Sequence, residues 1–490
     1  MAEQKPASPN IVFILTDDQG CWALGCAGNP EIRTPNLDRL AEQGVRFENF
    51  FCTSPVCSPS RASFLTGRIP SQHGVHDWIA GGNARDGIEY LEGQRAYTDV
   101  LAEHGYSCGI SGKWHLGDSL QPQKSFDHWF IHPRGGGPYI NGEMISHGEI
   151  VEIPGYLTDA ITDDALSFLD GHAEDDAPFY LSVHYTAPHS PWLDQHPQDI
   201  VGSYDDCPFN SCPQEPLHEG MAFYDFQFSK YVASRQDEAI PVREYLKGYF
   251  AAVTAMDANV GRILDRLDEL GLRENTLIFF ASDNGFNCGH HGIWGKGNAT
   301  LPLNLYDTSV KVPAIISHPG RLPEGEVCDA LLSGYDFMPA LLDYLGLDNP
   351  EADRLPGRSF LPILTDREGE ADEFVVVYDE YGPARMIRTR EWKYIHRYPY
   401  GPHELYDLVN DPGERINLLI DERGTGVSDR RKEEIVTGMK DQLQDWFARY
   451  VDPMLDGTHE AVEGRGQINL AGPAGGGAPA FRKRKKVAYE

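Results

Sequence analysis

The chain has 490 residues and a formal net charge of −32, with 74 acidic against 42 basic side chains. So acidic a surface repels nucleic-acid phosphates and anionic lipid headgroups, which argues against both as partners. A hydrophobic fraction of 41% suits a folded globular protein, and the length exceeds what one core organises, so a large domain with a smaller appendage is expected.

Met1–Pro9 is polar, and the apolar run after it, Ile11–Leu15, is too short for a signal or membrane-spanning segment. As written the chain reads as cytoplasmic, or as periplasmic or secreted if a leader has been removed. Ile11–Leu15, Gly105–Ile110, Phe179–Val183 and Thr276–Ala281 have the continuous apolar character of strands buried on both faces. Between them, Thr34–Glu42, Asp159–Leu169 and Val242–Leu270 carry apolar residues every three or four positions, the period of amphipathic helices. This alternation predicts an α/β fold, a large and mostly parallel sheet sandwiched by helices, over residues 1–370.

The pattern then changes. Phe374–Asp379, Ala384–Arg388, Lys393–His396 and Glu404–Leu408 are short β-rich pieces, and Arg430–Tyr450 is one long helix. Residues 371–455 are therefore expected to form a smaller α+β domain with a short antiparallel sheet. In the remainder, 456–490, the Gly/Pro/Ala-rich stretch Gly464–Ala480 leads into the basic run Arg482–Lys486. It reads as a flexible tail; docking on a neighbouring copy, giving a homo-oligomer, is the alternative. Nine cysteines are scattered without a disulfide or zinc spacing, and Cys207 with Cys212 is a conceivable pair.

Two strands end in the same chemistry. Ile11–Leu15 runs into Thr16-Asp17-Asp18, and Thr276–Ala281 into Ser282-Asp283-Asn284-Gly285. Ligands of open α/β sheets gather beyond the carboxyl ends of strands. If these two strands are neighbours, three carboxylates and an amide oxygen meet, which calls for a hard cation such as calcium, magnesium or manganese. Taken singly, each motif reads as a turn that closes a strand; the pair with the same grammar points to a metal site.

The segment Cys57-Ser58-Pro59-Ser60-Arg61, continued by Leu65-Thr66-Gly67-Arg68, places a cysteine before a Ser/Pro turn that can open a helix. On chemistry alone Cys57 is a small buried residue or a thiol nucleophile. The whole segment fills every fixed position of C-x-P-S-R followed by L-T-G-R, and so resembles the sulfatases of the alkaline-phosphatase superfamily. The likeness continues through Gly112-Lys113-Trp114-His115-Leu116-Gly117, Ala187-Pro188-His189, Asp283-Asn284-Gly285, Gly295-Lys296-Gly297, Leu405-Tyr406-Asp407 and Asp411-Pro412. These follow the family's order over nearly the whole chain.

The resemblance implies a sulfatase that hydrolyses sulfate monoesters, with Cys57 oxidised to formylglycine by a maturation enzyme and hydrated to a geminal diol. After one hydroxyl attacks sulfur, the other loses a proton and expels sulfate, which a serine could not do. It further implies that Asp17, Asp18, Asp283 and Asn284 hold one divalent ion, usually calcium. Lys113 and Lys296 would clamp sulfate oxygens, Arg61 would fix the diol, and His115 would take the proton during sulfate release. His189 would protonate the leaving alcohol, with Lys296 sharing that task. A carbohydrate sulfate is the expected substrate, aryl and choline sulfates being alternatives. A formylglycine-dependent phosphodiesterase or phosphonate monoester hydrolase is the nearest rival activity.

Other residues carry weaker expectations. His290-His291 lacks a third zinc ligand at suitable spacing. His73, His76, Asp77 and Trp78 follow the signature and are candidates to line a pocket, as are His184, Trp192 and Arg134 for specificity. Gly135-Gly136-Gly137 reads as a mobile loop, since no P-loop lysine follows.

Overall fold

A computed structural model of the chain describes residues 8–80, 87–223, 241–365, 373–378, 383–420 and 430–483. Its centre is a ten-stranded sheet ordered Glu326–Ser333, Val45–Phe51, Lys311–Ser317, Thr276–Ser282, Asn10–Asp17, Phe179–Pro188, Ser107–Lys113, His128–His132, Glu143–Ser146 and Glu149–Glu152. All run the same way except Lys311–Ser317 and Glu143–Ser146, so the sheet is mixed and mostly parallel.

The central strand shows why continuous apolar runs become interior strands. Ile11, Phe13 and Leu15 point into one core, Val12 and Ile14 into the other, and all five are buried. Side chains alternate across a strand, so a strand covered on both faces needs apolar residues at every position. The second core is closed by helices Pro35–Glu42, Leu157–His172 and Val242–Glu269. The first is closed by Cys57–Thr66, Tyr97–Glu103 and Phe337–Leu345. Among the described residues no helix is long and apolar enough to cross a membrane.

The strand expected at Gly105–Ile110 is shifted to Ser107–Lys113. Gly105 has φ +85° at the turn after the preceding helix, and hydrogen bonding to the neighbouring strands carries the extended chain through Ser111-Gly112-Lys113. Strands Val45–Phe51, Lys311–Ser317 and Glu326–Ser333 were not foreseen, because their mixed polar and apolar composition lacks a clean period.

Beyond residue 373, Phe374–Tyr378, Ala384–Thr389, Trp392–Arg397 and Glu404–Asp407 form an antiparallel four-stranded sheet. Helix Arg430–Tyr450 lies against it through Met439, Leu443 and Phe447. The division near residue 370, Asp379 and the basic residues 484–486 lie outside the described residues. Residues 456–483 are not a free tail here. They pack on their own chain, burying Val462, Gln467, Ala471 and Phe481, and Gly466 lets the backbone lie where a Cβ would fall 2.6 Å from Ala80. All nine cysteines, Cys207 and Cys212 included, are free thiols.

A buried charge cluster links the small sheet to the rest of the chain, alongside the apolar core they share. Lys393, fully buried, pairs with Asp307 at 2.6 Å and with Glu414, and donates to the Leu305 carbonyl at 2.9 Å. Arg388 adds a second cation on Asp307 at 3.1 Å. Removing one partner of such a group leaves a buried charge uncompensated. Lys393→Met is therefore expected to lower the unfolding free energy by about 3–5 kcal/mol in urea titrations; wild-type stability would show that the pairing is not what joins the domains.

Candidate active site

Four adjacent parallel strands deliver most of the predicted site at one edge of the sheet. Thr276–Ser282 ends at Asp283 and Asn284, Asn10–Asp17 at Asp17 and Asp18, Phe179–Pro188 at His189, and Ser107–Lys113 at Lys113 with His115 beyond. The expected neighbours are indeed paired, Thr16 facing Ser282. Strand Val45–Phe51 ends on the same side and leads to Cys57, the first residue of helix Cys57–Thr66.

One ligand atom each from Asp17, Asp18, Cys57 and Asp283 lies within 4.8 Å of the others, and all four residues are buried. The Cys57 thiol donates to Asp17 Oδ1 at 3.1 Å and accepts from Lys296 Nζ at 2.9 Å. Asn284 Nδ2 donates to Asp18 Oδ1 at 2.8 Å. Three cations answer the carboxylates. Lys113 Nζ pairs with Asp17, Lys296 Nζ with Asp18, and Arg61 with Asp283 at 2.9 Å. Arg61 also donates to the Lys113 carbonyl at 3.1 Å, so its hydrogen bonds hold the carboxylate and the lysine backbone in place.

The electrostatics are those of charges crowded out of water. Burial and the nearby Asp17 push Asp283 up to about 6. Burial works against Asp17 too, yet Lys113, with His189, Lys296 and Arg61 behind it, holds that carboxyl well below its usual range. Burial and Asp17 raise the Cys57 thiol above its ordinary range. His115 is held well below the usual histidine value, first by burial and then by Lys113, so its ring is neutral. His189 is a quarter exposed; its Nδ1 bonds the Ser190 carbonyl at 2.6 Å and its Nε2 lies 3.8 Å from Asp18.

Lys296 reaches the site because its loop can press close. A Cβ on Gly297 would lie 2.4 Å from Pro55, two residues before Cys57, and Gly295 has φ +127°. Above the site is a cavity of about 550 Å³ whose wall includes Trp78, Ile79, Trp294, Asn298 and Arg134. Gly135–Gly137, expected as a mobile loop, line this cavity as its ceiling. A Cβ at Gly135 would fall 2.3 Å from the His115 ring, and one at Gly136 would fall 3.1 Å from His189.

Several sequence candidates lie elsewhere. His290 bonds the Ser211 carbonyl at 2.9 Å and His291 stacks on Tyr306 at 3.8 Å, so the pair belongs to the packing of its turn. His73 bonds Ser63 inside the core, Trp192 donates to the Pro188 carbonyl, and His184 bonds the Lys113 carbonyl. Trp78 reaches the cavity wall and Arg134 its rim, where it pairs with Glu143 at 2.5 Å. Ile79 and Asn298 escaped the sequence reading, since neither residue type signals a site by itself.

The sulfatase family model matches residues 9–347, and the model of the N-sulphoglucosamine sulphohydrolase C-terminal region matches residues 289–444. An N-acetylglucosamine-6-O-sulfatase of Bacteroides thetaiotaomicron is 29% identical, over 85% of this chain and 84% of its own. An ulvan-active sulfatase of Formosa agariphila is 30% identical, over 85% and 78%. A structure solved with its substrate D-glucosamine-2-N,6-O-disulfate shares the fold, with a TM-score of 0.73 and 24% identity over 91% of this chain and 99% of that one. With the family signature around Cys57 and this architecture, the chain belongs to the sulfatase family of the alkaline-phosphatase superfamily and is a sulfuric ester hydrolase.

Proposed function

We propose that the protein hydrolyses sulfate monoesters of carbohydrates, using formylglycine made from Cys57 and one divalent metal ion. The observation that carries this reading is the convergence of Cys57, three carboxylates and three cations beneath a cavity of about 550 Å³. Asp17, Asp18, Asp283 and Asn284 would hold the ion. Their buried oxygen donors suit a hard cation, calcium first, with magnesium or manganese also compatible. One ligand atom from each of the three carboxylates lies within 4.8 Å of the others, close enough for one ion to reach them all. Bound ion and hydrated formylglycine together supply a nucleophile of lowered pKa and a Lewis acid for a sulfate oxygen.

The chain's own side chains do the rest. Lys113 and Lys296 would offer ammonium groups to sulfate oxygens, supplying locally the positive charge that the acidic chain lacks overall. Arg61 fixes Asp283 and the backbone of Lys113. His115 is neutral and donates Nε2–H to the Ile79 carbonyl at 3.0 Å, which leaves the Nδ1 lone pair to take a proton as sulfate departs. His189 keeps its Nδ1 on the Ser190 carbonyl and delivers a proton from Nε2 to the leaving oxygen. Gly135 lies against the His115 ring and Gly136 against the His189 ring.

The carbohydrate assignment draws on the wall of the cavity. Trp78 and Trp294 line the cavity with aromatic side chains suited to a sugar ring, and Arg134 and Asn298 line it with hydrogen-bond donors suited to its hydroxyls. The relatives named for N-acetylglucosamine and ulvan support the same class.

The first test is mass spectrometry of the tryptic peptide Phe47–Arg61 from protein co-expressed with a formylglycine-generating enzyme. Residue 57 should be lighter than cysteine and trapped by hydrazides; a plain thiol would remove the proposed nucleophile. Paired rates on an aryl sulfate and an aryl phosphodiester address the rival activity, and faster cleavage of the diester would overturn the sulfate reading. His189→Ala is expected to lower kcat/KM on a sugar sulfate by about 10²–10³-fold. It should cost far less on 4-nitrophenyl sulfate, whose leaving group needs no proton; equal losses would deny His189 the acid role. Gly135→Ala, whose methyl would overlap the His115 ring, is expected to cut kcat about tenfold with an unchanged circular dichroism spectrum.

A further inference from the structure

Gln467 sits at the centre of the C-terminal residues that fold back over the catalytic domain, and it is completely buried. Its backbone runs beside Trp78–Ala80. The Gln467 N–H donates to the Trp78 carbonyl at 2.7 Å, and the Ala80 N–H donates to the Gln467 carbonyl at 2.8 Å. Its side-chain amide bonds the residues just before that segment and its own strap. Oε1 accepts from the His76 N–H at 2.9 Å and the Asp77 N–H at 3.4 Å. Nε2 donates to the carbonyls of Gly74 at 2.9 Å and Asn469 at 3.0 Å.

Neighbouring contacts close the clasp. The Gly466 N–H donates to the Asp77 carboxylate at 2.7 Å, and a Cβ there would lie 2.6 Å from Ala80, so glycine is what allows the approach. Phe481 pairs with Gln467 across the returning chain and meets the His76 ring edge-on. From the opposite side, the Ile79 N–H donates to Ser58 Oγ at 3.0 Å, next to Cys57.

The clasped segment carries Ile79, whose carbonyl accepts from His115 Nε2 at 3.0 Å. A carbonyl can only accept, so the proton of the neutral ring is on Nε2 and the lone pair is on Nδ1. That Nδ1 is buried without a hydrogen-bond partner among the described residues, and His115 lines the cavity shared with Cys57.

We propose that Gln467 is a positioning residue: the C-terminal strap it anchors sets the Ile79 carbonyl, and through it the tautomer and orientation of His115. The inference rests on the reading of His115 as the group that takes the proton when sulfate is released. A base displaced by an ångström loses much of its effect, up to about 10²-fold.

The test is a double-mutant cycle on 4-nitrophenyl sulfate with wild type, Gln467→Met, His115→Ala and the double variant. Rates are normalised to formylglycine content and to folded protein. Methionine keeps the length of the side chain and removes its hydrogen bonds. Gln467→Met should lower kcat about tenfold in the wild-type background, with KM nearly unchanged, and less than about twofold beside His115→Ala. Equal factors in both backgrounds would mean generic destabilisation and overturn the proposal, as would an unimpaired Gln467→Met. An unimpaired His115→Ala would overturn the base role and the positioning role together. Should Gln467→Met not fold, Asp77→Asn weakens the Gly466 link with an isosteric side chain, and the same cycle and the same outcomes apply.

Discussion

Asp17, Asp18 and Asp283 are buried at one edge of the sheet within reach of one another, and the cost of that crowding shapes what surrounds them. Carboxylates removed from water must be neutralised, protonated or shared with cations. Here Lys113, Lys296 and Arg61 each take one, and the three cations come from segments far apart in the chain. The site is thus a charge-balanced cluster before substrate is considered. Of the three cations, Lys296 also lines the cavity above the cluster.

The sheet makes this balance possible. Strands adjacent in space and parallel in direction bring their carboxyl ends to one edge, so the loops after Thr276–Ser282, Asn10–Asp17, Phe179–Pro188 and Ser107–Lys113 converge without long excursions. Both faces are sealed by apolar cores, which leaves the edge as the place where polar side chains can be reached by solvent. Glycines at 135 and 297 then let loops lie against the His115 ring and against Pro55, where a Cβ would not fit. The closeness of the site comes as much from missing side chains as from those present.

The appended sheet and the C-terminal strap extend this logic outward. Lys393 pins the small sheet to Asp307, which lies eleven residues after Lys296, and the strap clasps the loop bearing Trp78 and Ile79. The strap, distant in sequence, thus meets the segment that carries two residues of the cavity wall, Trp78 and Ile79.

The sequence by itself determined the α/β character, the central strands, the antiparallel appendage and the residues gathered around Cys57. Apolar runs and helical periods are local signals, and a contiguous signature carries its meaning whatever lies around it. It did not place the strands of mixed composition, the glycine ceiling or the walls at Ile79 and Asn298. Nor did it distinguish a loose tail from a packed strap, since glycine-rich chain suits both. Tertiary structure alone decided those points, along with the pairing of each cation with its carboxylate. They depend on which distant backbones come within hydrogen-bonding distance, and residue type does not encode that.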